Sequence, residues 1–159
     1  ERMLQHVSSF VLGLNDALVE LTGALAGMTL ALRETHLIAA VGLITGIAAA
    51  LSMSAAEYLS TKEEEGKNAL QAGAMTGVAY LITVALLILP YFFVTSALLA
   101  LSVTVVIALI IIFLFTFYTS VARRLPFGRR FLEMAAISLG IASINFFIGF
   151  AVKRVFGVE

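Results

Sequence analysis

Five apolar runs, each longer than twenty residues, fill most of this sequence, over residues 7–32, 37–59, 69–89, 96–121 and 131–152. A helix rises ~1.5 Å per residue, so about twenty residues cross the ~30 Å hydrocarbon core of a bilayer. That core offers no water to an unpaired backbone group, so only helices and closed barrels span it. The runs are too long for barrel strands and lack strand alternation. The sequence predicts an all-α integral membrane protein with five transmembrane helices in a single transmembrane domain over residues 1–159. A content of 61% hydrophobic and 13% charged residues fits no water-soluble domain with such runs.

The polar residues fall between the runs. Arg33 to His36 form a short turn after the first, and STKEEEGKN over Ser60 to Asn68 must lie in water. Pro90 with Tyr91, Phe92 and Phe93 reads as an interfacial turn with aromatic anchors. Arg123, Arg124, Pro126, Gly128, Arg129 and Arg130 form a basic loop. With five spans, Arg2, Lys62, Lys67, Arg123, Arg124, Arg129 and Arg130 share a side, against Arg33, Lys153 and Arg154 on the other. The positive-inside rule then puts the N-terminus in the cytoplasm and the C-terminus outside.

Composition excludes several classes of function. A net charge of zero gives no nucleic-acid footprint, and the absence of Cys rules out disulfides, iron–sulfur clusters and thiolate metal sites. No His-rich ligand set, nucleophile–base pair or cofactor motif points to an enzyme or to a tightly bound cofactor. The first run is too long and too acidic for a cleavable signal peptide. The chain opens on Glu1 rather than Met, from which we expect a missing upstream portion.

The first run carries the chemistry. Within GLNDALVELTGALAGM, residues Gly13, Asp16, Glu20, Gly23 and Gly27 follow a 3-4-3-4 spacing and draw one stripe along a helix. An acid in mid-membrane costs at least ~2.5 kcal/mol on insertion scales, and nothing on this helix neutralises the pair. In the second run, Met53 and Glu57 are again one turn apart. At ~1.5 Å per residue, Asp16 and Met53 lie ~14 and ~10 Å from the cytoplasmic ends of antiparallel helices, with Glu57 shallower and Glu20 deeper. This predicts a ladder of metal ligands: Glu57, then Met53 with Asp16, then Glu20. Carboxylates suit hard divalent ions, and a thioether shifts the preference toward Fe²⁺. Carboxylates taken out of water can also exchange a metal ion for protons.

Each candidate has a plainer reading. Met53 alone is more often core packing than a ligand. Asp16 and Glu20 could be structural, bonded to Asn15, Thr22 or Asn145, and Glu57 could be merely interfacial. Glu63, Glu64 and Glu65 read as a solvated loop rather than as a cation-gathering entrance. Asn145 reads as an inter-helix hydrogen bond, and His6 and His36 as exposed helix-end residues. Gly23-x3-Gly27, Gly42-x3-Gly46 and Gly73-x3-Gly77 predict close packing of the first three spans. Crossing of two copies of span 1 at Gly23 and Gly27 would bring the acids to a shared axis. The fourth run, nearly devoid of polarity between Val105 and Phe115, reads as lipid-facing.

Gly13-Leu14-Asn15-Asp16, Ser52-Met53-Ser54-Ala55-Ala56-Glu57-Tyr58-Leu59-Ser60 and Leu89-Pro90-Tyr91 resemble the signatures of the vacuolar iron transporter family. The resemblance implies export of Fe²⁺, and of Mn²⁺, from the cytosol by metal–proton antiport. It implies a homodimer whose ion path is lined by the first spans, with Asp16 and Met53 as membrane ligands. The short 2–3 loop marks a form without the family's cytoplasmic metal-binding insert. Ala17 rather than Gly follows Asp16, span 1 has no Pro, and Glu20 is an added acid. Some members are fused to a soluble ferritin-like domain, which a missing upstream portion would suit. The expected place is a prokaryotic cell membrane rather than a vacuolar one. The competing reading is a membrane anchor or oligomerisation module for an upstream domain, in which the acids only join helices.

Overall fold

A computed structural model describes residues 2–32, 34–64 and 66–156, with side chains from residue 7 onward. The elements are α1 (Arg2–Leu32), α2 (Thr35–Lys62), α3 (Ala69–Ile88), α4 (Pro90–Phe93), α5 (Ala97–Arg123) and α6 (Phe127–Phe156). No strand occurs among the described residues. Five helices are long and apolar enough to cross a membrane, with α3 and α4 forming one span over Ala69–Phe93.

Local chemistry sets the boundaries. The Asn68 side chain accepts the Gln71 N–H at 3.2 Å and starts α3. Pro90 opens the short α4, where its missing N–H costs nothing. The Ser96 hydroxyl caps α5 by accepting from Leu99 N–H. Arg124 adopts the left-handed conformation (φ 52°) that ends α5, while the Leu125 N–H reaches back to the Ser120 carbonyl at 2.9 Å. That is the helix-ending geometry usually given to glycine. Because α6 already begins at Phe127, Arg129 and Arg130 lie on its first turns rather than in a loop.

The fold is built around α1, which packs most extensively on α6 and α3 and also meets α2 and α5. Its Leu14, Leu18, Leu21 and Leu25 enter the buried core with Tyr80, Val84, Leu87, Ile88 and Tyr91. Small residues allow the backbones to close. A Cβ at Gly13 would run into the Thr76 carbonyl of α3, and one at Gly149 into the Gly27 carbonyl. Gly46 lies under Val84, and Gly73 and Gly77 lie under Ser54, so α2 and α3 also close on glycines. The Ser54 hydroxyl donates to the Gly73 carbonyl at 2.8 Å across that seam. Helix α5 is peripheral: its buried side is the thin stripe Ala100, Thr104, Ala108, Ile112 and Thr116, and its other rows are open.

One expectation is overturned. Gly23 and Gly27 do not present a free face for a second copy of α1. A side chain at Gly23 would meet Asn145 and Ile141 of α6, and one at Gly27 the Asn145 carbonyl. Between membrane helices, packing rather than the hydrophobic effect drives association, so bare backbone is taken up by the nearest partner, here inside the subunit.

Gly149→Leu should therefore force α1 and α6 apart and cost about 1–3 kcal/mol or more, as overpacking does. Gly140 has open space around its missing Cβ. Gly140→Ala should leave stability unchanged or raise it by up to ~1 kcal/mol, from helix propensity. Thermal unfolding of both variants in detergent checks the pair.

Candidate functional site

The acids of α1 lie on the strip left open between its two main neighbours. Gly13 faces α3 on one flank, and Gly23 faces α6 on the other. Asp16 is half-buried and Glu20 exposed on the strip between. The two carboxyls stand one helical turn apart on that strip.

Asp16 opens into a cleft of about 500 Å³. Ser8, Leu12, Asn15 and Val19 of α1 line it with Glu57 of α2 and Met134 of α6. The cleft therefore draws one acid from each of two helices. Glu57 is held by the Ser9 hydroxyl, which donates to its Oε1 at 2.7 Å. Ser9 is tied in turn to α3, because the Thr76 hydroxyl donates to the Ser9 carbonyl at 2.9 Å. Glu20 accepts a hydrogen bond from the Tyr80 hydroxyl of α3 at 2.8 Å. Tyr80 is only 1% exposed, so a rigid, buried ring holds the carboxylate.

The predicted ligands are thus only partly gathered. Asp16 and Glu57 share a cleft, and Glu20, one turn from Asp16, is exposed outside it. Met53 is partly buried against the apolar core and does not line the cleft. The Leu25–Gly42 contact and the Ser9–Glu57 bond set an antiparallel register between α1 and α2 that puts Met53 about level with Gly13. Among the described residues, no three acidic or histidine side chains converge closely enough to hold a metal ion.

Other candidates resolve individually. The Asn145 amide donates to the Ile141 carbonyl of its own helix at 3.0 Å, not across helices, while its side chain covers Gly23. Thr22 is fully buried with its hydroxyl unpaired among the described residues, so it is no partner for the acids. His36 is exposed, as are Glu63 and Glu64, and Glu64 pairs with Lys67. The side chain of His6, and Glu65, lie outside the described residues.

Two partners of the acids were not foreseen. Tyr80 is a lone phenol in an otherwise apolar and small-residue run, and a buried phenol seeks an acceptor. Ser9 stands seven residues before Asp16, on the same helix face.

Residues 7–66 match the family model described as VIT family. Over these 60 of its 159 residues the chain is similar to the VIT family. The match covers the first two spans and most of the turn after them, and so includes Asp16, Glu20, Met53 and Glu57. VIT proteins are membrane transporters of metal ions and not enzymes, and this chain is an integral membrane protein. In it, α2 and α3 are joined by only six residues, 63–68. No curated protein matches the chain.

Tyr80→Phe keeps the ring and removes one bond to Glu20. Hydrogen bonds between membrane helices average about 0.6 kcal/mol and reach about 1.7. We expect a loss in that range by thermal unfolding in detergent. Glu20→Gln, which keeps an acceptor for Tyr80, should lose less than Glu20→Leu.

Proposed function

We propose that the chain exports divalent metal, Fe²⁺ and also Mn²⁺, from the cytoplasm in exchange for protons, along a path at a homodimer interface. The observation that carries this reading is the cleft in which Asp16 and Glu57, from two different spans, face one opening. Carboxylates there could bind a divalent ion and accept protons when it leaves, which is the elementary step of exchange. Moderate affinity suits the task, since a conducted ion must also leave.

The dimer supplies what one subunit lacks. Glu20 is exposed on an apolar span, and a carboxylate facing lipid is costly. A second copy laid over the strip with Leu12, Asp16 and Glu20 would cover it and bring a second set of acids. On this reading the ladder is completed between subunits, with Glu57 at the cytoplasmic end. Met53 would join by a rotamer change of its flexible side chain. The basic residues, in the orientation given by the positive-inside rule, put the Glu57 end in the cytoplasm. We place the protein in a prokaryotic cell membrane.

The test is metal-stimulated proton flux in liposomes with Fe²⁺, Mn²⁺, Zn²⁺ and Mg²⁺ compared. Asp16→Asn removes charge at near-constant volume, and should abolish Fe²⁺ flux while leaving thermal stability and oligomeric state intact. Wild-type flux in that variant would sink the transport reading.

Met53→Leu is a volume-conserving change and should cost under ~1.5 kcal/mol of stability. A sulfur that meets the ion should make Fe²⁺ flux fall more than Mn²⁺ flux. Equal effects on both ions, or none, would leave Met53 to the core.

A further inference from the structure

A second cavity, of about 210 Å³, lies where α5 ends and α6 begins, against α1. Its polar lining is Asn15, Thr116, Thr119, Arg123, Arg130 and Glu133. Two guanidinium groups against one carboxylate leave it net positive. Neither arginine is ion-paired, since Lys67–Glu64 is the one salt bridge among the described residues. Arg130 is half-buried, and its Nη1 is shut away from solvent with no hydrogen-bond partner among the described residues. Arg123 and Arg130 both line the cavity, and their unbalanced charge suits an anionic acceptor that comes from outside the chain.

The position narrows what that acceptor is. Arg123 closes one membrane span and Arg130 lies on the first turn of the next. That is the depth at which headgroup phosphates lie, and basic pockets between spans take such headgroups. The planar fork of arginine matches a phosphate with two parallel hydrogen bonds. The cavity is too small for a drug-sized ligand but has room for a phosphate and a small substituent. On the same two helices, α5 and α6, Phe113, Phe117, Phe127 and Phe131 interlock edge to face and stacked, with Phe113 and Phe117 open to the surroundings. They form an apolar wall along which an acyl chain can run.

We propose that this cavity binds the phosphate of a phospholipid headgroup. Arg123 and Arg130 hold the phosphate oxygens, and Glu133 accepts a hydrogen from the headgroup's hydroxyl or ammonium. The site stands apart from the transport reading, since it includes neither Asp16 nor Glu57. It shares Val11, Asn15 and Met134 with the acid cleft, so its occupant backs one wall of that cleft.

The experiment uses the whole chain, delipidated in detergent. Native mass spectrometry and thermal unfolding follow titration with short-chain phosphatidylglycerol, short-chain phosphatidylethanolamine or inorganic phosphate. The wild type should retain both lipids and unfold at a higher temperature with either. Inorganic phosphate at the same concentration should do neither. Arg123→Gln with Arg130→Gln should weaken lipid retention at least tenfold, and Arg154→Gln, at the far end of α6, should leave it unchanged. Should the double variant fail to fold, Arg130→Gln alone is read in its place. Undiminished lipid retention in the arginine variant overturns the proposal, as does an equal loss in Arg154→Gln. Stabilisation by inorganic phosphate equal to that by lipid would assign the cavity to free phosphate and overturn the lipid assignment.

Discussion

The fold depends on how closely helix backbones approach α1. In lipid, apolar side chains gain little by leaving their surroundings for one another, so contact must come from packing at short range. Gly13 lets α3 reach α1 at the Thr76 carbonyl, and Gly27 with Gly149 lets α6 reach it at the backbone itself. A 3-4-3-4 pattern repeats every 3.5 residues while a helix turns every 3.6, so the stripe drifts by ~40° over two heptads. The drift distributes the glycines between two neighbours. Gly13 turns toward α3, Gly23 toward α6, and the acids stay on the strip between.

That division separates two kinds of polar group. Thr83, Thr45, Ser102 and Ser143 return their hydroxyls to carbonyls of their own helices and need nothing from outside. Several hydroxyls around α1 also cross between helices. Thr76 binds the Ser9 carbonyl, Ser138 the Leu18 carbonyl and Tyr91 the Thr29 hydroxyl, while Tyr80 and Ser9 hold the two glutamates. Such bonds are each modest, but they all pin the one helix that bears the acids. The cleft therefore has a fixed floor and flanks.

Much of this was legible in the residues, and the limits have a physical cause. The five spans follow from apolar length alone, and the peripheral place of α5 from its lack of polarity between Val105 and Phe115. Placing antiparallel helices at matched depth paired Asp16 with Met53, whereas the cleft brings Glu57 to Asp16 and leaves Met53 against the core. Spacing along one helix gives a face, however, and not the neighbour that covers it. The glycines at 23 and 27 could be read as a crossing with a second copy because nothing in the first run names α6 as the partner. Gly149, which completes that contact, lies more than a hundred residues away. Tyr80 escaped notice for the same reason, since its role depends on α3 running parallel to α1. Arg124 did too, because a left-handed arginine carries no composition signal of the kind glycine gives.

The open strip is the feature that a purely structural role leaves unexplained. An anchor would gain from turning its acids inward, where Thr22 is buried with an unused hydroxyl a short distance along the same helix. Instead Glu20 is fastened by a single buried phenol and left exposed, and Asp16 opens to a cleft rather than to a donor on a neighbouring helix. Charges so placed are stable in a membrane only when something arrives to neutralise them: protons, a cation or the matching surface of another copy. All three are what exchange across a subunit interface would supply. The fixed flanks make the compensation reversible, because the visitor, and not the helix floor, is what has to move.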